Sequence, residues 1–269
     1  MRQRGPQPAL LDSEVITMQV VGEYFGMDGD KNIWEYFSRN WRCFFPRMGE
    51  RTAFVKQAGN LLYWTQRLQE KVAGELGAKS DLLHTTDGFP IPVTHFKRAH
   101  FSRVFKGDAA YGFCAAKGET YYGFKGHLVI NSLGVASGFT FAPANIDERD
   151  ILPETAWGLT GIMLGDKGLI RPSLSEELAA LDLQLEHPVR SNMKEDRSEE
   201  YLNWMKKTRR LVETVIGQLT ERFNIEKTRS RNVFRMSLRL TRKILAHTMG
   251  LFINQTLGRP VLQLEGLVG

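Results

Sequence analysis

Apolar residues recur along this chain in two rhythms, helical and alternating, and each predicts a different kind of element. From residue 12 to residue 76 the rhythm is helical. Val15, Met18, Val21 and Phe25 follow three- and four-residue steps behind Asp12 or Ser13, either of which can cap a helix. Gly26 to Asp30 breaks that helix. Trp34, Phe37, Trp41 and Phe44 then form an aromatic stripe, read as the core of a small bundle, with a base-stacking surface as the other reading. A third helix is expected from about Thr52 to Leu76, with Leu61, Leu62, Leu68, Val72 and Leu76 inward. Gly74, Gly77 and Ser80 mark a boundary.

Beyond it the rhythm changes. Leu82, Leu83, Thr85 and Thr86 favour a strand that ends in Asp87, Gly88 and a Pro-Ile-Pro corner. Residues 94 to 118 resist assignment. Thr120 to Asn131 alternates as a strand with Lys125 and His127 on one face, and Leu133-Gly134 turns into a second strand, Val135 to Phe141. A short helix over Glu148 to Gly158 leads to an apolar run, Gly161 to Leu164, with Asp166 at its end. Leu185 to Val189 is expected as a further strand and Glu199 to Arg222 as a long helix. Leu211, Val215 and Leu219 line its apolar side, and Arg209 and Glu213 sit four apart on a neighbouring face.

Composition narrows the classes. An apolar content of 42% supports an ordinary buried core. No apolar run reaches the roughly 18 residues of a membrane span, and the Met1 segment has no signal-peptide core, so no membrane is expected. Cys43 and Cys114 stand far apart without zinc-ligand spacing, which fits a reducing, cytoplasmic setting. The net charge of +6 is unevenly spread. From Lys206 to Lys243 twelve bases face three acids, giving +9 and leaving −3 for the rest, so one end of the protein is suited to an anionic partner.

Two carboxylates stand in unusual settings. Asp87 lies within a strand, where aspartate is disfavoured and costly to bury unless it is paired or bound to a cation. Asp166 lies at a strand end beside two glycines, where open α/β sheets place their sites. Asp147, which also follows a strand, is a rival to it. A helical Glu213 can converge on both. Two like charges 4 Å apart repel by roughly 4 kcal/mol at an effective dielectric near 20, so such a cluster requires cations. A phosphodiester site built on two Mg²⁺ ions about 3.5–4 Å apart has this form.

The order of strand, hairpin, strand-end Asp and helical Glu matches a ribonuclease-H-like fold. The chain resembles bacterial insertion-sequence transposases with an Asp-Asp-Glu triad, most closely the insertion sequence 982 family, from about Leu11 to Leu257. The resemblance rests on the segments Leu11–Thr17, Asp87–Pro92, Tyr121–Leu128, Pro143–Asn145, Gly165–Gly168 and Val212–Leu219, in that order and spacing. It departs at Lys206, Thr220 and Leu169, where the wider family has a tyrosine, a lysine and an aromatic residue.

The resemblance implies a mixed α/β sheet flanked by helices as catalytic domain over 79–258, after a small helical N-terminal domain over 1–78 and before a tail over 259–269. It implies that Asp87, Asp166 and Glu213 are catalytic and hold two Mg²⁺ ions, with Mn²⁺ able to substitute. The activity implied is nicking of element ends and strand transfer into target DNA. A nuclease of the same fold, or an inactive DNA-binding derivative, are the alternatives. Expected DNA contacts are Lys125, His127, Arg209, Arg229, Arg231, Arg235, Arg239 and Arg242, the last three on one helical face. Expected partners are the terminal inverted repeats, target DNA and a second copy of the chain, in a dimer or larger assembly in the bacterial nucleoid. The family usually has a further helix upstream of Leu11. A shortened start is therefore expected, with an uncovered apolar face on the helices of residues 13 to 76.

Overall fold

The computed structural model describes residues 7–27, 29–115 and 117–267. Four helices come first: α1 (Asp12–Tyr24), α2 (Gly29–Asn40), α3 (Arg51–Gly59) and α4 (Leu62–Glu75). The single helix expected over Thr52–Leu76 is in fact two, because Gly59 and Asn60, both poor in a helix interior, end α3 and let the chain turn before α4. Val15, Met18, Ile33, Phe37, Phe54, Ala58 and Leu61 form a core of their own. The aromatic stripe divides. Phe37 is buried and Trp34 half-buried, whereas Trp41 (42% exposed) and Phe44 (68% exposed) lie against each other on the surface, 5.8 Å between ring centres.

The remaining elements build a mixed sheet between helical layers. β1 (Leu83–Thr94) is followed by the short α5 (Phe96–Ala99), β2 (Ala110–Cys114), β3 (Glu119–Asn131), β4 (Ala136–Pro143) and α6 (Glu148–Thr155). Then come β5 (Gly161–Leu164), α7 (Pro172–Ala179), β6 (Leu183–Glu186), α8 (Glu199–Glu221) and α9 (Val233–Thr256). The strand order is β2-β3-β1-β5-β6, with β4 beside β3 next to β2. β1, β2 and β4 pair antiparallel with β3, while β1 with β5 and β5 with β6 are parallel. This is the ribonuclease-H-like arrangement expected. The last strand is Leu183–Glu186 rather than Leu185–Val189, since its register is set by pairing Gly161 with Leu183 and Leu164 with Glu186.

β1 runs straight through Pro90 and Pro92 instead of turning a corner. β5 pairs with it only from Leu83 to Thr85, so beyond that point one edge of β1 has no neighbouring strand. Prolines are tolerated where no ladder hydrogen bond is required.

Alternation divides the sheet's two faces. Phe89, Ile91, Phe124, Leu128 and Ile130 face α8 and α9 and meet Val212, Val215, Leu219, Leu240 and Ile244. Val129 and Met163 face Leu152 of α6 and Leu174 and Leu178 of α7. The N-terminal helices reach the sheet domain mainly through α9, which packs against α1 and α4. At that junction Arg242, 1% exposed, pairs with Glu23 and Asp30 at 2.5 Å each, and Lys243 pairs with Glu23 at 2.6 Å. The segment after α9 folds back, with Asn254 Nδ2 donating to the carbonyls of Val261 (3.0 Å) and Gln263 (2.8 Å). No helix among the described residues is long and apolar enough to cross a membrane.

Candidate active site

Asp87 sits on β1 two residues past the point where β5 stops pairing. The parallel register sets Thr85 against Leu164. Extended by two residues, it carries Asp87 opposite Asp166, and the period of two puts both on the face covered by α8. Asp166 caps the turn after β5, its Oδ1 accepting from the Gly168 N–H at 2.7 Å. Asp87 Oδ1 accepts from the Gly88 N–H at 2.8 Å. Burial pushes the Asp87 pKa up from 3.8 to about 6. The Gly88 N–H and the Arg209 guanidinium oppose that rise, and the charges of Asp166 and Glu148 add to it.

Glu148 joins the site without a signal of its own in the sequence. It opens α6, behind the cap formed by Asp147, and its carboxylate lies against the backbone of Gly88. A Cβ at Gly88 would stand 2.9 Å from Glu148 Oε1, so only glycine leaves this space. Lys125 Nζ pairs with the same oxygen at 3.1 Å. The signal was a glycine inside a strand, which marks a close approach by another group.

Asp147, the rival second carboxylate, is engaged elsewhere. It accepts from the Arg149 N–H at 2.9 Å and is gripped by the Arg149 guanidinium, which holds its pKa down at about 2.

α8 passes over the Asp87–Asp166 face. Ser198 caps it, accepting from the Tyr201 N–H at 3.2 Å, and Met205, Val212, Val215 and Leu219 face the core. Arg209 is half-buried, and its Nε has no hydrogen-bond partner among the described residues. Glu213 is exposed one turn further on and shares a hollow with Arg209, Lys206 and Arg210. Among the described residues no ion pair joins Arg209 to Glu213, and no three His, Cys, Asp or Glu side chains are grouped closely enough to hold a metal ion.

The donor chemistry nevertheless fits a hard divalent cation. Carboxylate oxygens are its preferred ligands, and a partly buried pair of acids on one sheet face is stabilised by a positive ion. Glu213, on an exposed helix face, has the side-chain freedom to complete such a set.

The expected DNA contacts divide. Arg229 and Arg231 are exposed. Arg235, Arg239 and Arg242 do share one face of α9, but that face turns inward. The Arg235 guanidinium lies against Gly59 of α3, and the Arg239 guanidinium lies near Gly29 of α2 and donates to the Thr228 carbonyl. Arg242 is a correction: its buried charge is spent on Glu23 and Asp30, so it cannot reach a phosphate. His127 is corrected too. At 3% exposure beneath α6 it is shut off from DNA, and burial together with Lys125 lowers its pKa to about 4, leaving it neutral.

Comparison with protein-family models matches residues 77–233 to the family described as Transposase DDE domain. No match was found among curated proteins or among solved structures. The matched span opens just before β1, closes at the start of α9 and contains every carboxylate of the site. Since it covers more than half of the sequence, the chain belongs to the transposase DDE-domain family.

Proposed function

We propose that this protein is an insertion-sequence DNA transposase of the insertion sequence 982 kind, which nicks the ends of its element and transfers the freed strands into target DNA. The observation that carries this reading is the parallel pairing of Thr85 with Leu164, two residues short of Asp87 and Asp166, together with the Asp166 charge acting on the Asp87 carboxyl. Asp87, Asp166 and Glu213 would hold the divalent metal, and Glu148 stands behind Gly88 as a further carboxylate. Bound Mg²⁺ supplies an activated water or DNA 3′-hydroxyl and charge stabilisation of the leaving oxygen.

The chain's own residues do the rest. Arg209 and Lys125 bring positive charge to either side of the β1 edge, where a phosphate would lie. The exposed Arg229 and Arg231 neutralise phosphates further along the strand, giving salt-dependent binding. Under this reading residues 1–78 form a helical domain, 79–258 the catalytic domain and 259–269 a tail, with α9 packed against both domains. Two ends must be brought together, so the working form is a dimer or larger.

A joining assay tests it. Labelled duplexes carrying the ends of the surrounding element are incubated with supercoiled plasmid and Mg²⁺. Covalent insertion of the labelled 3′ ends is expected. Cutting without joining would make the protein a nuclease, and neither reaction would make it a DNA-binding derivative.

A further inference from the structure

One edge of the sheet lacks the protection that edge strands ordinarily carry. β2 ends the strand order and pairs with β3 alone, so its outer edge meets no strand among the described residues. Exposed edges are commonly blunted by a charge, a proline or a bulge, because their free N–H and C=O groups pair with any strand that arrives. Ala110–Cys114 has none of these: it reads Ala-Tyr-Gly-Phe-Cys and pairs with β3 without a shift of register. At the opposite end of the sheet β6 is only four residues long, and Arg197 draws the following loop back onto Glu186 (2.7 Å) and the His187 carbonyl (3.0 Å).

β2 also presents an apolar face. Tyr111 and Phe113 are 47% and 64% exposed, and the exposed Phe96 of α5 lies against Tyr111, 5.8 Å between ring centres. Tyr111 stands opposite Tyr122 of β3, with ring centres 5.0 Å apart, on the sheet face that carries Phe124 and Leu128. Gly112 faces the other way, where the Ala144 Cβ would stand 2.7 Å from any Cβ added to it. The strand is thus symmetric about Gly112, with an aromatic residue on either side and then a small one.

Such a strand is complementary to itself. We propose that two copies of the chain pair through β2, antiparallel and centred on Gly112, so that the sheet of one copy runs on into the sheet of the next. A two-fold at Gly112 sets Tyr111 against the partner's Phe113 on one face and Ala110 against the partner's Cys114 on the other, the isologous contact of a closed dimer. Directly opposed aromatic residues are among the pairs that stabilise antiparallel sheets. The same axis carries the turn before one strand, with the exposed Lys106 and Asp108, alongside the turn after the other, with the exposed Lys117 and Glu119. Each turn therefore offers an acid and a base to the other. A second copy also supplies what a nucleic acid lacks, a row of backbone donors and acceptors that matches the free edge. A two-fold normal to the sheet preserves its faces, so both Asp87 carboxylates open on one side of the joined sheet. That use of the pairing rests on the function proposed above, whereas the pairing itself does not.

The test uses the full-length chain without DNA. Sedimentation over a range of protein concentrations should show a monomer–dimer equilibrium. Tyr111→Lys with Phe113→Lys, its fold confirmed by circular dichroism, should weaken that equilibrium at least about tenfold, a difference of about 1.4 kcal/mol. Cross-linking fixes the register. In a Cys43→Ser background, Ala110→Cys brings the introduced thiol opposite the partner's Cys114, where paired Cα atoms are about 4.5–5.5 Å apart and a disulfide needs about 4.4–6.8 Å. Within one chain the two positions are separated by about 13 Å of strand, at about 3.3 Å per residue, so only a bond between copies is open to them. Oxidised glutathione should give a covalent dimer with Ala110→Cys and none once Cys114→Ser is added. A monomer throughout with no cross-link would overturn the proposal, as would a dimer untouched by the two lysines. DNA binding strengthened by those lysines, with no cross-link, would give the patch to nucleic acid and overturn it as well. A protein that cross-links as described yet never joins DNA would overturn the proposed function alone.

Discussion

Replacing Asp87 by Asn should make the metal-free protein more stable, because the site holds a carboxylate that the folded chain resists ionising. Burial lifts the Asp87 pKa from 3.8 to about 6. At 1.36 kcal/mol for each tenfold change in proton affinity, forcing that carboxyl to ionise at neutral pH costs at most about 3 kcal/mol. Asp87 is half-buried, and solvent screening reduces this to about 1–2 kcal/mol. Asparagine keeps an oxygen for the Gly88 N–H, which donates to Asp87 at 2.8 Å, so only the charge is removed.

The sign follows from linkage. The raised pKa contributes stability that is fully present below the unfolded value near 3.8 and is lost as pH rises through about 6. The variant's advantage should therefore be complete above about pH 7 and largely absent near pH 4. In EDTA at neutral pH the melting temperature of Asp87→Asn should rise by about 2–8 °C, at 2–4 °C per kcal/mol for a chain of this size. Circular-dichroism melts at two pH values would measure it. Added Mg²⁺ should stabilise the parent protein and not the variant, removing the difference. A variant less stable than the parent at neutral pH, or a gain that is the same at both pH values, would mean that the Asp87 carboxylate is not disfavoured in the folded protein.

Two further outcomes follow from the charges. Arg242→Met should leave Asp30 buried without its guanidinium and Glu23 with Lys243 alone, and cost about 3–5 kcal/mol in urea unfolding, with an unchanged salt slope of DNA binding. Arg231→Gln should do the reverse, leaving stability alone and flattening that slope by about 0.9 for the lost phosphate contact. Glu148→Gln should weaken Mn²⁺ binding by about 10–100-fold, read from the spectrum of the bound ion; unchanged affinity would leave Glu148 only its pairing with Lys125.

Much of this architecture was legible from periodicity. β3 occupies Glu119–Asn131 where alternation placed Thr120–Asn131, and α8 occupies Glu199–Glu221 where the helical stripe placed Glu199–Arg222. Both are long and one-sided, so burial leaves a clear pattern. β2 was missed because it is a short edge strand with Tyr111 and Phe113 exposed, which erases the contrast between inside and outside. The continuation of β1 through Pro90 and Pro92 depends on where β5 stops, a tertiary fact absent from local propensity.

The charges were harder still. Arg242 shares a helical face with Arg235 and Arg239, as spacing predicts, but the partners that turn the face inward lie 219 and 212 residues away. Glu148 was hidden for the opposite reason: an acid at the first position of a helix already has a local explanation in the helix dipole. Asp87 stood out because nothing local explains a carboxylate in a strand.

Whether Asp87, Asp166 and Glu213 act together on DNA is read from Mg²⁺-dependent cleavage of element-end DNA by the parent protein and by single-carboxylate variants of confirmed fold. Asp87→Asn, Asp166→Asn and Glu213→Gln should each lose more than about a hundredfold in rate, beyond what a change behind the metal ligands costs. Asp147→Asn, whose carboxylate only caps α6 and grips Arg149, should cleave as the parent does. Normal cleavage by Asp166→Asn together with its loss in Asp147→Asn would contradict the site described here.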